Sequence, residues 1–173
     1  AHLNKIIALE EGRKINALRK EKHFLQQLFW ECTLRCILKC RHCGSSCEYN
    51  DSRGEMPLED FLPVLDEINR HTTSPILVIT TGGEPLLRRD ICICGEEIKK
   101  RGLYWGLVTN GVLLDDKKLK DLLNAGLDSI SVSIDGLRDS HNWMRCSESS
   151  YDHAIYAVEL LSKAPSKLTW DVI

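Results

Sequence analysis

The chain offers little net charge to a polyanion: 23 basic residues nearly balance 25 acidic ones over 173 positions. That balance removes the main compositional argument for nucleic acid or an anionic membrane surface as a partner. Long apolar runs are also missing, so no membrane span is expected. The stretch from Ala1 to Gln27 is charged throughout and has no secretory apolar region. No linker-like or low-complexity tract interrupts the chain, which points to one folded domain after the leader. Nor does a G-x-G-x-x-G or Walker loop follow any strand-like run, which disfavours a doubly wound nucleotide-binding enzyme. What remains, 43% hydrophobic and 28% charged, is the composition of a globular domain able to bury a sizeable core.

Cysteine is the exception, at eight residues. Small secreted domains use that many as disulfide staples, but this chain is too long and too apolar to need them. Thiols serving metal or redox chemistry in the cytoplasm are the expectation.

Residues 4–25 read as an amphipathic helix, with Ile6, Ile7, Leu9, Ile15, Leu18 and Phe24 at mixed three- and four-residue steps. Beyond this leader, residues 1–27, apolar β-rich runs appear at Leu28–Leu34, Ile76–Thr81, Leu103–Thr109, Ser129–Ile134 and Lys167–Ile173. Each gap holds a helix: one opening at Met56-Pro57, one over Arg89–Lys100, one over Asp115–Asn124 and one over Tyr151–Lys163. Alternating strands and helices imply an α/β fold with a parallel sheet and right-handed crossovers, either doubly wound or part of a β/α barrel. In both architectures ligands bind at the carboxyl ends of the strands.

Cys36, Cys40 and Cys43 stand just there, spaced C-x3-C-x2-C after the first strand. With eight cysteines in 173 residues, about 0.016 chance matches to that spacing are expected. Three clustered thiolates suit a thiophilic metal group. Zinc normally takes four closed ligands, whereas an iron–sulfur cubane on three cysteines leaves one iron open. Cys32 and Cys47 flank the trio at four-residue steps and could complete a four-thiolate site. The second strand ends Thr81-Gly82-Gly83-Glu84-Pro85, where paired glycines allow close backbone approach and a carboxylate can bind an ammonium. The third ends Thr109-Asn110-Gly111, readable as a turn with Asx-type bonds. The fourth carries Ser131, Ser133 and Asp135 on one face, opposite Val132 and Ile134.

Together these features resemble a radical S-adenosylmethionine (radical SAM) enzyme over about Leu28 to Ile173. The resemblance implies that residues 28–173 form the core, a partial TIM-like β/α barrel that stops after its fifth strand where the family continues to a sixth. It implies a [4Fe–4S] cluster on Cys36, Cys40 and Cys43, with the fourth iron open to the amino and carboxylate groups of S-adenosylmethionine. His42 takes the place of the family's adenine-contacting aromatic residue. Gly82, Gly83 and Glu84 would receive the methionine ammonium, Ser133 would face the ribose or carboxylate, and Arg145 would pair with the carboxylate. Reductive cleavage would then give a 5′-deoxyadenosyl radical that abstracts hydrogen from a substrate, with an electron donor such as flavodoxin or ferredoxin.

The segment from Ser133 to Arg145 is most similar to the peptide-modifying branch that carries a SPASM domain, which implies a peptide or protein substrate. No further cysteine array follows Cys146, and a fragment of a longer enzyme is the expectation. Cys92 and Cys94, two apart on a helix, do not face together, and burial is expected for at least one. The other reading is a non-catalytic iron–sulfur or zinc-binding regulatory module.

Overall fold

The computed structural model describes residues 2–22 and 25–173. Phe24, expected on the apolar stripe of the leader helix, lies outside them. The leader forms helix α1 (His2–Lys22), along which Ile6, Ile7, Leu9, Ile15 and Leu18 are all exposed. Among the described residues no helix is long and apolar enough to cross a membrane.

The remaining elements alternate. They are β1 (Gln27–Thr33), α2 (Leu58–His71), β2 (Leu77–Gly82), a 3-10 turn (Pro85–Leu87), α3 (Ile91–Lys100), β3 (Tyr104–Thr109), α4 (Asp116–Asn124), β4 (Ser129–Val132), α5 (Arg138–Arg145), α6 (Ser150–Leu161) and β5 (Thr169–Val172). Every strand-like run of the sequence is a strand to within two residues. All neighbours pair parallel and in chain order, β1-β2-β3-β4-β5. Each connection is therefore a crossover that lays a helix on the sheet.

Register sorts the side chains into two faces. Trp30, Thr80, Leu107 and Ile130 align across the first four strands, all of them buried. They meet the helices, with Trp30 stacked on Phe61 of α2 at 3.8 Å between ring centroids. The alternate row, Phe29, Ile79, Gly106 and Ser129, points the other way, and Phe29 is 61% exposed. Burial of one face against α2–α6 drives folding, and the opposite face is left for a site.

The helix-side layer is tightly filled. Trp105 is fully buried, and its Nε1 donates to Thr80 Oγ1 at 3.2 Å. A Cβ placed on Gly95 of α3 would fall 2.1 Å from that ring. Gly95→Ala should thus lower stability despite the better helix former, because overpacking costs about 1–3 kcal/mol against a propensity gain of about 1 kcal/mol. Thermal melting checks this: a melting temperature at or above that of the parent would contradict the packing.

Candidate functional site

Because all five strands are parallel, their carboxyl ends share one edge, and the cysteine loop crosses it. Where β1 ends, the Gly83 and Glu84 amides donate to the carbonyls of Thr33 and Arg35, each at 2.8 Å. The two glycines make this approach possible. A Cβ on Gly82 would lie 2.3 Å from the Thr33 oxygen, and one on Gly83 2.2 Å from the Arg35 oxygen. Cys36 follows the anchored Arg35 directly, so the end of β2 sets where the first thiol stands.

The three thiols have different surroundings. Cys36 is buried, and its sulfur accepts from the Leu38 amide at 3.5 Å and from Asn110 Nδ2 at 3.8 Å. The same Asn110 accepts from Val112 N at 2.9 Å, so the Asx turn read from the sequence and the contact to the thiol coexist. Cys40 is half-buried, with Arg145 Nη1 3.9 Å from its sulfur. Burial pushes both thiols up, and the Arg145 charge pulls Cys40 back down. Cys43 is exposed, and its thiol is held below the ordinary value, chiefly by the Cys47 backbone amide.

Among the described residues no three His, Cys, Asp or Glu side chains gather on the position of a single metal ion. Ligands of one zinc converge within about 2.3 Å of a point, whereas the thiolates on a cubane bond three separate irons and stand wider apart. The donor set, all sulfur on one loop with polar groups from β3 and α5 against it, fits an iron–sulfur cluster.

Glu84, expected from the sequence to receive an ammonium, also makes bonds within the fold. Its side chain is fully buried, and its carboxylate accepts from Leu86 N at 3.1 Å, Thr109 Oγ1 at 2.9 Å and Asn110 N at 2.9 Å. Burial pushes the carboxyl up, and these donors oppose the shift. Glu84 therefore ties the ends of β2 and β3 together, with three donors on a carboxylate that offers about four acceptor positions.

Asp135, which the sequence reading placed only on a polar face, joins the remaining candidates. Its carboxylate pairs with Arg145 Nε and stands 3.6 Å from His42 Nε2. The cysteine loop is held to α5 a second time, because Arg41 N donates to Met144 O at 2.8 Å and the Arg41 guanidinium stacks on Trp143. Ser133 is half-buried on the sheet face away from the helices, and its amide donates to Thr109 O at 3.0 Å. The structure thus brings Cys36, Cys40, Cys43, His42, Ser133 and Arg145 to one edge.

His141 supports this edge from below. Its Nδ1 accepts from Asp135 N at 3.1 Å, which leaves the proton on Nε2, a buried atom without a partner among the described residues. Burial, with the Arg145 charge adding, holds the imidazole below its ordinary value of 6.5. The unfolded chain then binds that proton more readily, so this contribution to stability is complete above about pH 6.5 and is lost as pH falls toward the folded value. His141→Asn keeps an acceptor for the Asp135 amide but cannot titrate. Melting temperatures between about pH 7.5 and pH 5.5 should fall less in the variant than in the parent. Equal slopes would sink that assignment.

The other cysteines divide by depth. Cys32 and Cys94 are buried in the main core, and burial pushes each up to about 12. Cys92 packs against that core part-exposed, and Cys146 is exposed in a left-handed conformation (φ 51°) at the end of α5.

The family model described as the Radical SAM superfamily matches residues 30–173. The Fe-coproporphyrin III synthase of Methanosarcina barkeri is 30% identical over 155 residues, 86% of this chain and 38% of that protein. The PqqA peptide cyclase of Granulibacter bethesdensis is 32% identical over 106 residues, 61% of this chain and 28% of that protein. Among solved structures, a histidine-tagged anSMEcpe with bound AdoMet superposes with a TM-score of 0.70 at 25% identity, covering 86% of this chain and 42% of that one. The chain thus spans less than half the length of each. The shared fold is the partial β/α barrel expected from the sequence.

Proposed function

This chain belongs to the radical SAM superfamily, whose members use a [4Fe–4S] cluster and S-adenosylmethionine, and we propose that residues 28–173 are the part of such an enzyme that binds both. The observation that carries this reading is the three-thiol loop, anchored by Gly83 and bordered by Asn110 and Arg145 at the carboxyl edge of a parallel sheet. Cys36, Cys40 and Cys43 would hold the cluster. When bound, the cluster and S-adenosylmethionine supply one-electron cleavage of a sulfonium C–S bond and, through it, hydrogen abstraction from a substrate.

The chain's own residues bind and orient. Main-chain carbonyls of Gly82 and Gly83 meet the methionine ammonium in place of the buried Glu84 carboxylate. Arg145 and Ser133 bind the carboxylate and ribose hydroxyls, and His42 lies against the adenine. Asp135 is a positioning residue that holds Arg145 beside Cys40 and keeps His42 at the rim. Residues 1–27 stand outside this unit.

The substrate class we favour is a peptide, supported by the PqqA peptide cyclase relative and by the Ser133–Arg145 segment. The Methanosarcina relative, named for the synthesis of an iron coproporphyrin, supports a tetrapyrrole as the second reading. Electrons come from a flavodoxin- or ferredoxin-type donor.

Anaerobic reconstitution with iron and sulfide tests the core of this reading. The expected result is about four irons per chain, an electron-spin signal that changes when S-adenosylmethionine is added, and 5′-deoxyadenosine on reduction. Stoichiometric zinc without iron would overturn it. A cluster indifferent to S-adenosylmethionine would favour a non-catalytic module. Incubation with peptides or with tetrapyrroles then separates the two substrate classes by mass change.

A further inference from the structure

The thiol loop turns sharply between its second and third cysteines. The Cys43 amide donates to Cys40 O at 3.2 Å, which sets Arg41 and His42 at the two corners of a β-turn. Both corner residues are exposed, and both are engaged. His42 faces Asp135. Arg41 reaches the end of α5, a short helix whose last carbonyls lack partners within the helix. Its amide donates to Met144 O at 2.8 Å, and its Nε donates to Trp143 O at 3.0 Å. The guanidinium lies 4.5 Å from the centroid of the Trp143 ring. The amide of Cys146, itself left-handed, reaches the same Trp143 oxygen only at 3.4 Å. A cation at these carbonyls also complements the negative end of the helix dipole. Arg145, the last residue of α5, returns the contact by placing Nη1 3.9 Å from Cys40 Sγ. Of the three consecutive residues Cys40, Arg41 and His42, Arg41 is the one that binds the helix backbone.

We propose that Arg41 is a positioning residue: it makes the cysteine turn and the end of α5 one unit, and so sets where Arg145 stands beside the cluster. The unit rests on these contacts; only its consequence for S-adenosylmethionine rests on the radical SAM reading. Arg41 acts through the α5 backbone. That helix is built from indifferent helix formers, so its last turn takes its position from bonds made outside it. Without the guanidinium, Asp135 still pairs with the Arg145 side chain, but the backbone beneath is free to shift. Displacements of about 1 Å are costly where a ligand must meet an oriented group. The bond from the Arg41 amide survives any side-chain substitution, so a variant removes the guanidinium's share alone.

Arg41→Met removes the charge and the Nε donor and keeps an unbranched stem over Trp143. Both residues are exposed and outside the main core, so melting temperature and iron per chain after anaerobic reconstitution should match the parent. The cluster's electron-spin signal, titrated with S-adenosylmethionine, should have its midpoint raised about three- to tenfold, the scale of an exposed cation–π contact with part of one hydrogen bond. In the metal-free full chain, hydrogen exchange should quicken together at residues 40–43 and 142–146 and stay parental across the sheet. Trp143→Leu, which removes the ring and keeps the carbonyl, should shift the midpoint in the same direction by less. Parental exchange at residues 142–146 would overturn the unit. A cap that only stabilised α5 would lower the melting temperature and leave the midpoint unchanged, and that result would overturn the positioning role. A parent that takes up iron but ignores S-adenosylmethionine would reject the radical SAM reading, while coupled exchange in the metal-free chain would still uphold the unit.

Discussion

Alanine at Cys36, Cys40 or Cys43 should leave a folded chain that retains almost no iron after anaerobic reconstitution. The three thiols stand on a loop outside the main core, and Cys43 is exposed, so the cost in stability at Cys40 and Cys43 should stay within about 0.5 kcal/mol. A cubane deprived of one of only three protein ligands loses a third of its anchorage to the chain. Cys32→Ala and Cys94→Ala are the informative contrast. Both lie in the main core, so each should lose about 1 kcal/mol by leaving a small cavity and yet keep its full iron content. Iron per chain and thermal melting, measured on the same five variants, separate the two roles. Iron retained in any variant of the trio would remove that cysteine from the ligand set.

A second large effect should fall on stability rather than on ligand binding. Glu84→Ala removes one side chain that satisfies three donors: the Leu86 amide, the Thr109 hydroxyl and the Asn110 amide. Each buried donor left unpaired costs about 1–3 kcal/mol, and water entering the gap offsets part of the sum. A net loss of about 3–5 kcal/mol is expected, a large share of the roughly 5–15 kcal/mol available to a domain. Glu84→Gln keeps the volume and one acceptor oxygen and should lose about 1–3 kcal/mol. Denaturant titration gives these values directly. A pair of variants with parental stability and weakened binding of S-adenosylmethionine would restore Glu84 to the ligand side of the site.

The parallel sheet was legible because its strands are short β-rich runs, apolar or alternating, and its helices carry their own signals. Asp115 caps α4 by accepting from the Lys118 amide, as a helix start should. Helix α5 gave no such signal. Its eight residues, with Ser, His, Asn and Trp at the centre, are indifferent helix formers. Tertiary bonds hold them instead: His141 to the Asp135 amide, and Asn142 to Ser150 Oγ and the Tyr151 amide at the start of α6. The thiols were readable from spacing, but the direction of Glu84 was not. It depends on how closely Gly83 approaches Arg35, a contact between residues far apart in sequence. Asp135 was visible as a polar face, while its two partners come from helix α5 and the cysteine loop, which only folding brings together.

The order of the strands also has a temporal side. Each strand pairs with the one made just before it, so the sheet can grow in the direction of synthesis. The thiol loop cannot finish in step with its own emergence. Its first anchor comes with β2, its next with Asn110 after β3, and its last with α5, where Arg145 lies 105 residues beyond Cys40. At about 5–20 residues per second, the ribosome leaves the loop short of its last anchor for roughly 5–20 s. Whatever delivers iron and sulfide to this protein must therefore act on a chain already folded past α5, or else protect three nascent thiols until α5 arrives.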